Sequence, residues 1–414
     1  MEGGHATANQ PAREVASESS TPPRHAPAVP PRFVFVDGLR GLAALSIVVF
    51  HLWWYEPAPY PAFEYSHWLV AATFRNTRIA VQILLVISGF VVAYTLRQTW
   101  VTPREIFWFL ARRLVRLIPP YWVTIAAVIV VDILCQKLWN LSSPFEGPLS
   151  LHRVSAHMTM LQDVLGHEAL SAGMWTICIE MQFYIVAILC WGLAQRMVPV
   201  AHRPRPSFWG LLAVFAPIAL VSLFYWRALD STSPYVIHFM WMFFLGMVTW
   251  WTLDRTVPLW IFATIVAIAV GELIFESDWW YQNTAALSTA LAIFIAGRSG
   301  RMQSWLNWNW LQHVSRISYS LYLIHFPVCH ILMTAGWKWC DDSPTTLQAD
   351  AILAVSLIAS LIAAQLLYMF VETPANDWAA WMKRVSAGPR PPAQHDGSQL
   401  VAMTTTNSCL SSEK

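Results

Sequence analysis

The sequence predicts an all-α fold, a polytopic integral membrane helix bundle of about ten transmembrane helices. Three observations predict it. Hydrophobic residues fill 56% of the 414 positions and charged residues only 12%, against roughly 25% charged in soluble domains. Runs near twenty apolar residues, enough to cross a bilayer as helix, recur along the chain. The 24 tryptophans bunch at the edges of those runs, as at Trp53, Trp54, Trp100, Trp139, Trp175, Trp250, Trp251, Trp279 and Trp280, where amphipathic rings settle at headgroup level.

Taken in order, the first run, 33–55, carries Arg40 and His51. An ionisable group at membrane depth costs about 2.5–3.5 kcal/mol on insertion scales, so it belongs to a protein interior or a watered site. Eleven residues return a helix to within about 20° of its starting direction and raise it by about 16 Å. One face therefore carries a fixed cation toward one membrane surface and a titratable base toward the other. The second run, 79–98, carries Ser88. The third, 117–136, follows Arg112, Arg113 and Arg116, and the fourth, 173–195, carries Glu180 and Tyr184. Next come 208–227, 235–252, 258–275 and 284–299. The ninth, 313–335, carries His325, and the tenth, 350–371, ends beside Glu372. Polar groups dispersed over several helices suit a site built between them.

Charge orients the bundle. With the N-terminus cytoplasmic, nineteen of the 26 Lys and Arg residues fall on the cytoplasmic side. Six fall opposite (Arg75, Arg78, Lys137, Arg153, Arg227, Lys338), and Arg40 lies within the membrane. This partition follows the positive-inside rule and places the chain in the cell (inner) membrane with both termini cytoplasmic. Residues 1–32, rich in Pro, Ala and Ser, read as a disordered cytoplasmic tail without the apolar core of a signal peptide. Residues 385–414 read as a second such tail, which leaves the chemistry to the membrane domain, 33–384. The six cysteines have no paired metal-ligand spacing, and no metal is expected. Cys135 and Cys340 both fall near the outer surface, which leaves a disulfide between them open. A Gly-rich phosphate loop, a zinc motif and a nucleophile elbow are all missing from the sequence.

Six segments in order resemble the signature blocks of the membrane-bound acyltransferase-3 family. They are Val36-Asp37-Gly38-Leu39-Arg40-Gly41-Leu42 with His51 beyond it, Ile87-Ser88-Gly89-Phe90, and Arg113 to Arg116 with Ile118-Pro119-Pro120-Tyr121. Next come Trp175-Thr176-Ile177 through Glu180 to Phe183-Tyr184, then Ser318 to His325-Phe326-Pro327, and finally Val371-Glu372-Thr373-Pro374. Thr176 stands where the family usually has Ser. The resemblance spans about 33–384. It implies transfer of an acyl group, most often acetyl, from a coenzyme A thioester to a hydroxyl of a carbohydrate such as an exopolysaccharide or O-antigen. Arg40, Arg113 and Arg116 match positions associated with the acyl-CoA donor, and His51 matches the catalytic histidine.

The residues themselves are compatible with that reading. Guanidinium forks suit phosphates, and a neutral His51 can accept the acceptor's proton. Glu180, at similar depth on an antiparallel helix, would orient the histidine. Asp37 would neutralise Arg40. Ser88, Tyr184, His325 and Glu372 are further candidates, three of them with a structural alternative: small-residue packing for Ser88, a hydrogen-bond anchor for His325, termination of the tenth helix for Glu372. Direct transfer and an acyl-histidine or acyl-Ser88 intermediate both fit. A proton-coupled transporter would use similar residues, and a macrolide or lipid-linked sugar would also supply a hydroxyl. The expected partners are acyl-CoA, a carbohydrate acceptor and the lipid bilayer, with no nucleic acid; the acyl group and the oligomeric state are not legible.

Overall fold

A computed structural model describes residues 33–54, 79–138, 140, 143–197, 205–225, 235–275 and 280–386. Outside them lie residues 1–32 and 387–414 of the two tails, and Arg75, Arg78, Trp139, Arg203, Arg227 and Trp279. Described residues form helices and no strand. Those helices are α1 (Val34–Trp54), α2 (Ala80–Leu96), α3 (Pro103–Ile133), α4 (Leu151–Met158), α5 (Met174–Met197), α6 (Phe208–Tyr225), α7 (Met240–Leu253), α8 (Leu259–Phe275), α9 (Trp280–Arg298), α10 (Asn309–Arg316), α11 (Ser318–Trp339), α12 (Thr346–Leu367) and α13 (Thr373–Ser386).

Helix lies over each of the ten apolar runs, yet not all are full-length spans. Val34–Leu52, Pro103–Lys137, Met174–Met197 and Thr346–Ser386 are long and apolar enough to cross a membrane alone. The α10–α11 pair, bent by 72°, makes a fifth if taken as one span. Helices α2, α6, α7 and α8 are apolar but shorter, and seventeen helical residues rise only about 26 Å against a hydrocarbon core of about 30 Å.

Helix α3 starts well before the interval 117–136. Thr102 caps it, its hydroxyl accepting from the Glu105 amide at 3.2 Å, and Pro103 occupies the first turn, where a missing N–H costs nothing. Arginine is a good helix former, so Arg112, Arg113 and Arg116 lie within the helix and not ahead of it. Pro119 and Pro120 resemble a start signal but sit mid-helix. They withdraw two donors from the ladder, those that would have met the carbonyls of Val115 and Arg116; one turn on, the Thr124 hydroxyl donates to the Pro120 carbonyl at 2.9 Å.

A second difference falls at the end of the tenth run. Glu372 does not terminate helix: a π-helical turn, Tyr368–Glu372, joins α12 to α13. The extra residue lets the chain pass Pro374 while turning Glu372, only 2% exposed, into the bundle. Cys135 and Cys340 are both free thiols.

Packing fixes the frame around the polar residues. A Cβ on Gly89 would stand 2.0 Å from the Phe243 carbonyl oxygen, and one on Gly246 would stand 1.9 Å from that of Val86. Helices α2 and α7 thus cross with main chains in contact, the arrangement that small residues permit in apolar surroundings. Phe33, at the head of α1, meets Phe90 and Tyr94 of α2 and Trp250 of α7 edge-on, at ring centroid distances of 5.4, 4.9 and 5.7 Å. The Gln312 amide donates to the Val34 carbonyl at 3.0 Å. Between α3 and α5, the buried Arg153 donates to the carbonyls of Glu146 (2.6 Å) and Glu168 (3.1 Å). Nearby, fully buried His157 accepts from the Leu170 amide on Nε2 at 3.0 Å and meets the Arg153 carbonyl through Nδ1 at 2.8 Å. Burial pushes its pKa down to about 4.

Candidate functional site

Two groups of polar side chains face the interior. The first joins α1, α2, α3 and α5. Arg40 donates to Asp37 at 3.1 Å, one helical turn away on the same face of α1. It also lies within electrostatic reach of Arg116, Glu180 and Tyr184. On α5, Glu180 and Tyr184 stand at i and i+4, so the Tyr184 hydroxyl donates to Glu180 Oε1. Ser88 of α2 donates to the same oxygen at 3.0 Å. Arg113 of α3 donates to the Tyr184 hydroxyl at 3.4 Å, its guanidinium 4.5 Å above the centre of that ring and 5.4 Å from that of Phe109. Stacking of this kind holds a guanidinium without neutralising it. Arg112 turns elsewhere, donating to the Ser386 hydroxyl at 3.2 Å and clasping α13 to α3.

Glu372 extends this group. Ser320 of α11 donates to its Oε2 at 2.6 Å, and Arg116 is within electrostatic reach. Asp37, Glu180 and Glu372 therefore face Arg40, Arg113 and Arg116, three carboxylates against three guanidinium groups.

The second group joins the far end of α1 to α11. His325, fully buried, places Nε2 2.9 Å from Nδ1 of His51, with the rings stacked at 5.0 Å between centroids and 28° between planes. Its other nitrogen, Nδ1, lies 2.9 Å from the Leu321 carbonyl, one turn back along α11. His51 thus meets a histidine at the nitrogen for which sequence reasoning offered Glu180. Glu180 is engaged with Ser88 and Tyr184.

Two tyrosines not singled out from sequence stand on the same helix as His325. Tyr319, Tyr322 and His325 recur every third position on α11. Tyr319 donates to the Leu117 carbonyl at 2.8 Å, beside the paired prolines of α3, and the Tyr322 hydroxyl meets Thr176 at 2.5 Å. Glu180 is within electrostatic reach of both phenols. The one usable signal was their spacing, which repeats an aromatic–aromatic–imidazole set along one side of a helix.

The model for the acyltransferase domain matches residues 33–369, and the chain belongs to the acyltransferase-3 family. Among similar curated proteins is "Putative membrane-bound transacylase BcsY" of Komagataeibacter xylinus, 24% identical over 367 residues, which cover 83% of either chain. A "Putative O-acetyltransferase" of Staphylococcus aureus (strain COL) is 24% identical over 373 residues, 82% of this chain and 56% of its own. The chain thus spans little more than half of that relative's length. No solved structure matches the chain.

Proposed function

We propose that the chain transfers an acyl group, acetyl in the simplest case, from acyl-CoA on the cytoplasmic side to a hydroxyl of a surface carbohydrate such as an exopolysaccharide or O-antigen. The observation that carries this reading is the division of labour along α1: Arg40 joins the arginine-rich group, and His51, about 16 Å farther by helical rise, joins His325. Family membership and the names of the relatives support acyl transfer; the guanidinium chemistry favours a phosphorylated donor. Ten membrane passes with both termini cytoplasmic, in the inner membrane, agree with the ten helix-bearing runs and the distribution of basic residues.

In this reading Arg113, Arg116 and Arg40 hold the coenzyme A phosphates, and the thioester reaches toward His51. The acceptor oxygen bonds to the thioester carbonyl carbon as its proton passes to His51. The tetrahedral species then collapses, the C–S bond breaks, and the departing thiolate takes the proton from His51 as free coenzyme A. Glu180 keeps the arginines oriented and their charge balanced.

The test incubates purified protein in vesicles with acetyl-CoA carrying a radiolabelled acetyl group and a panel of polysaccharides and lipid-linked sugars. Label on a glycan hydroxyl is the expected result. Flux of a solute with no labelled product would mean transport instead, and label retained on Ser88 or His51 would mean two-step transfer. Reporter fusions at both termini and within 97–103 should report the cytoplasm; an outward C-terminus would remove the donor-side role of Arg40.

A further inference from the structure

We infer that His325 is a positioning residue that fixes His51 in the tautomer protonated on Nδ1, so that Nε2 of His51 is the atom that takes the acceptor's proton. This rests on the acyl-transfer reading above and assigns the orienting partner of its base.

The direction of the hydrogen-bond chain is set at its buried end. The Leu321 carbonyl can only accept, so Nδ1 of His325, 2.9 Å away, carries a proton. A neutral His325 then presents a lone pair on Nε2. At 2.9 Å from that lone pair, Nδ1 of His51 must be the donor. The Ile47 carbonyl, one turn back on α1, also bonds the His51 imidazole; Nδ1 is the ring nitrogen nearer the backbone, and this second acceptor sets the same direction. In this tautomer the ring's lone pair is on Nε2 of His51. The opposite tautomer would set two lone pairs against each other across 2.9 Å and would fill the position needed to receive a proton.

The same chain serves the charged intermediate. When Nε2 of His51 takes a proton, the bond from Nδ1 to His325 becomes charge-assisted and strengthens as charge develops. A carboxylate would do this more strongly, but His325 is fully buried, and an ion there carries a desolvation cost of several kcal/mol. The carboxylates of the first group, Asp37, Glu180 and Glu372, each have a guanidinium group within electrostatic reach. At the far end of α1 a neutral imidazole orients the base without adding a buried charge.

Two measurements test the inference. In the first, protein labelled with 15N-histidine in lipid vesicles is examined by NMR at neutral pH, with His51 assigned by its loss in His51→Gln. A protonated Nδ1 and bare Nε2 are expected on His51, and a smaller share of that tautomer in His325→Leu, where the Ile47 carbonyl alone still favours it. A protonated Nε2 in the wild type overturns the inference whatever the activity. In the second, His325→Leu is compared with His325→Gln, whose amide oxygen can still accept from Nδ1. The leucine variant should lose about 10²- to 10⁴-fold in kcat with its KM for acetyl-CoA within about twofold, and glutamine should restore at least tenfold of that. Equal loss in both, at unchanged thermal stability, would make His325 a packing residue and overturn the inference. An active His51→Ala protein would end the role of His51 as the base and overturn the inference, whereas a wild-type protein that labels no acceptor would end the acyl-transfer reading and leave the NMR result standing by itself.

Discussion

Ser88 Oγ on α2 donates to Glu180 Oε1 on α5 across 3.0 Å, and the Tyr184 hydroxyl donates to the same oxygen. A serine that reads in sequence as a small packing residue therefore belongs to the network that anchors Arg113, while its neighbour Gly89 provides the close helix approach.

Glu180→Gln keeps the size and an acceptor but removes the charge within electrostatic reach of Arg40 and the charged acceptor for Ser88 and Tyr184. Arg40 keeps its ion pair with Asp37, so the loss is that of bonds to a charged group, about 1.5–3 kcal/mol each, and transfer should fall roughly ten- to a hundredfold. Ser88→Ala removes one charge-assisted bond, worth about 1.5–3 kcal/mol, and should cost roughly tenfold. Acetyl transfer at matched expression checks both; a Glu180→Gln protein as active as the wild type would remove the carboxylate from the donor site.

Arg113→Lys and Arg116→Lys preserve positive charge but lose forked geometry and, for Arg113, stacking on Tyr184. Each should raise the KM for acetyl-CoA about tenfold with normal membrane insertion. A double variant with an unchanged KM would show that these arginines only orient the chain.

His51→Ala should abolish transfer, about 10²- to 10⁴-fold, while leaving donor binding intact. Arg40→Ala should do the reverse, weakening binding more than turnover. Steady-state kinetics together with titration of acetyl-CoA binding separates the two; a His51→Ala protein within a few-fold of wild type sinks the mechanism.

His157 introduces an acid sensitivity outside the catalytic groups. Its pKa of about 4 lies below the ordinary 6.5 because burial disfavours the cation. The unfolded chain therefore binds a proton more readily, and stability present above pH 6.5 should be lost as pH falls from 6.5 toward 4. The Leu170 amide would lose its acceptor as Nε2 is protonated. Proteolysis between residues 143 and 171 should accelerate across that window; cleavage rates flat from pH 7 to 4.5 would contradict it.

Hydropathy located the helices because each presents a continuous apolar surface, and that leaves a direct trace in sequence. The start of α3 left a local trace, Thr102-Pro103 with Glu105 three past the cap, but hydropathy passes over its charged first turns, and the paired prolines satisfy the rules for a helix entrance as readily as those for a kinked interior. The depth of Arg40 and His51 on one face was legible from helical periodicity alone. Their partners were not. His51 and His325 stand 274 residues apart, and Ser88 and Glu180 stand 92 apart; only the crossing of helices decides which nitrogen meets which. Sequence offered Glu180 as the partner of His51 and left His325 as a site residue or an interhelical anchor; the placement of α11 beside α1 brings His325 to it.

Gly89 and Gly246 each accommodate the main chain of the other's helix, and that reciprocity constrains how the sequence can change. An obstruction made by a side chain can be relieved by trimming that side chain, but a carbonyl oxygen belongs to every residue type alike. No replacement on α7 makes room for an alanine at Gly89, and none on α2 makes room for one at Gly246. Transplanting the polar residues of this bundle into another helical scaffold would meet the same demand: the recipient must let two backbones touch at that level before any imidazole or guanidinium can reach its neighbour.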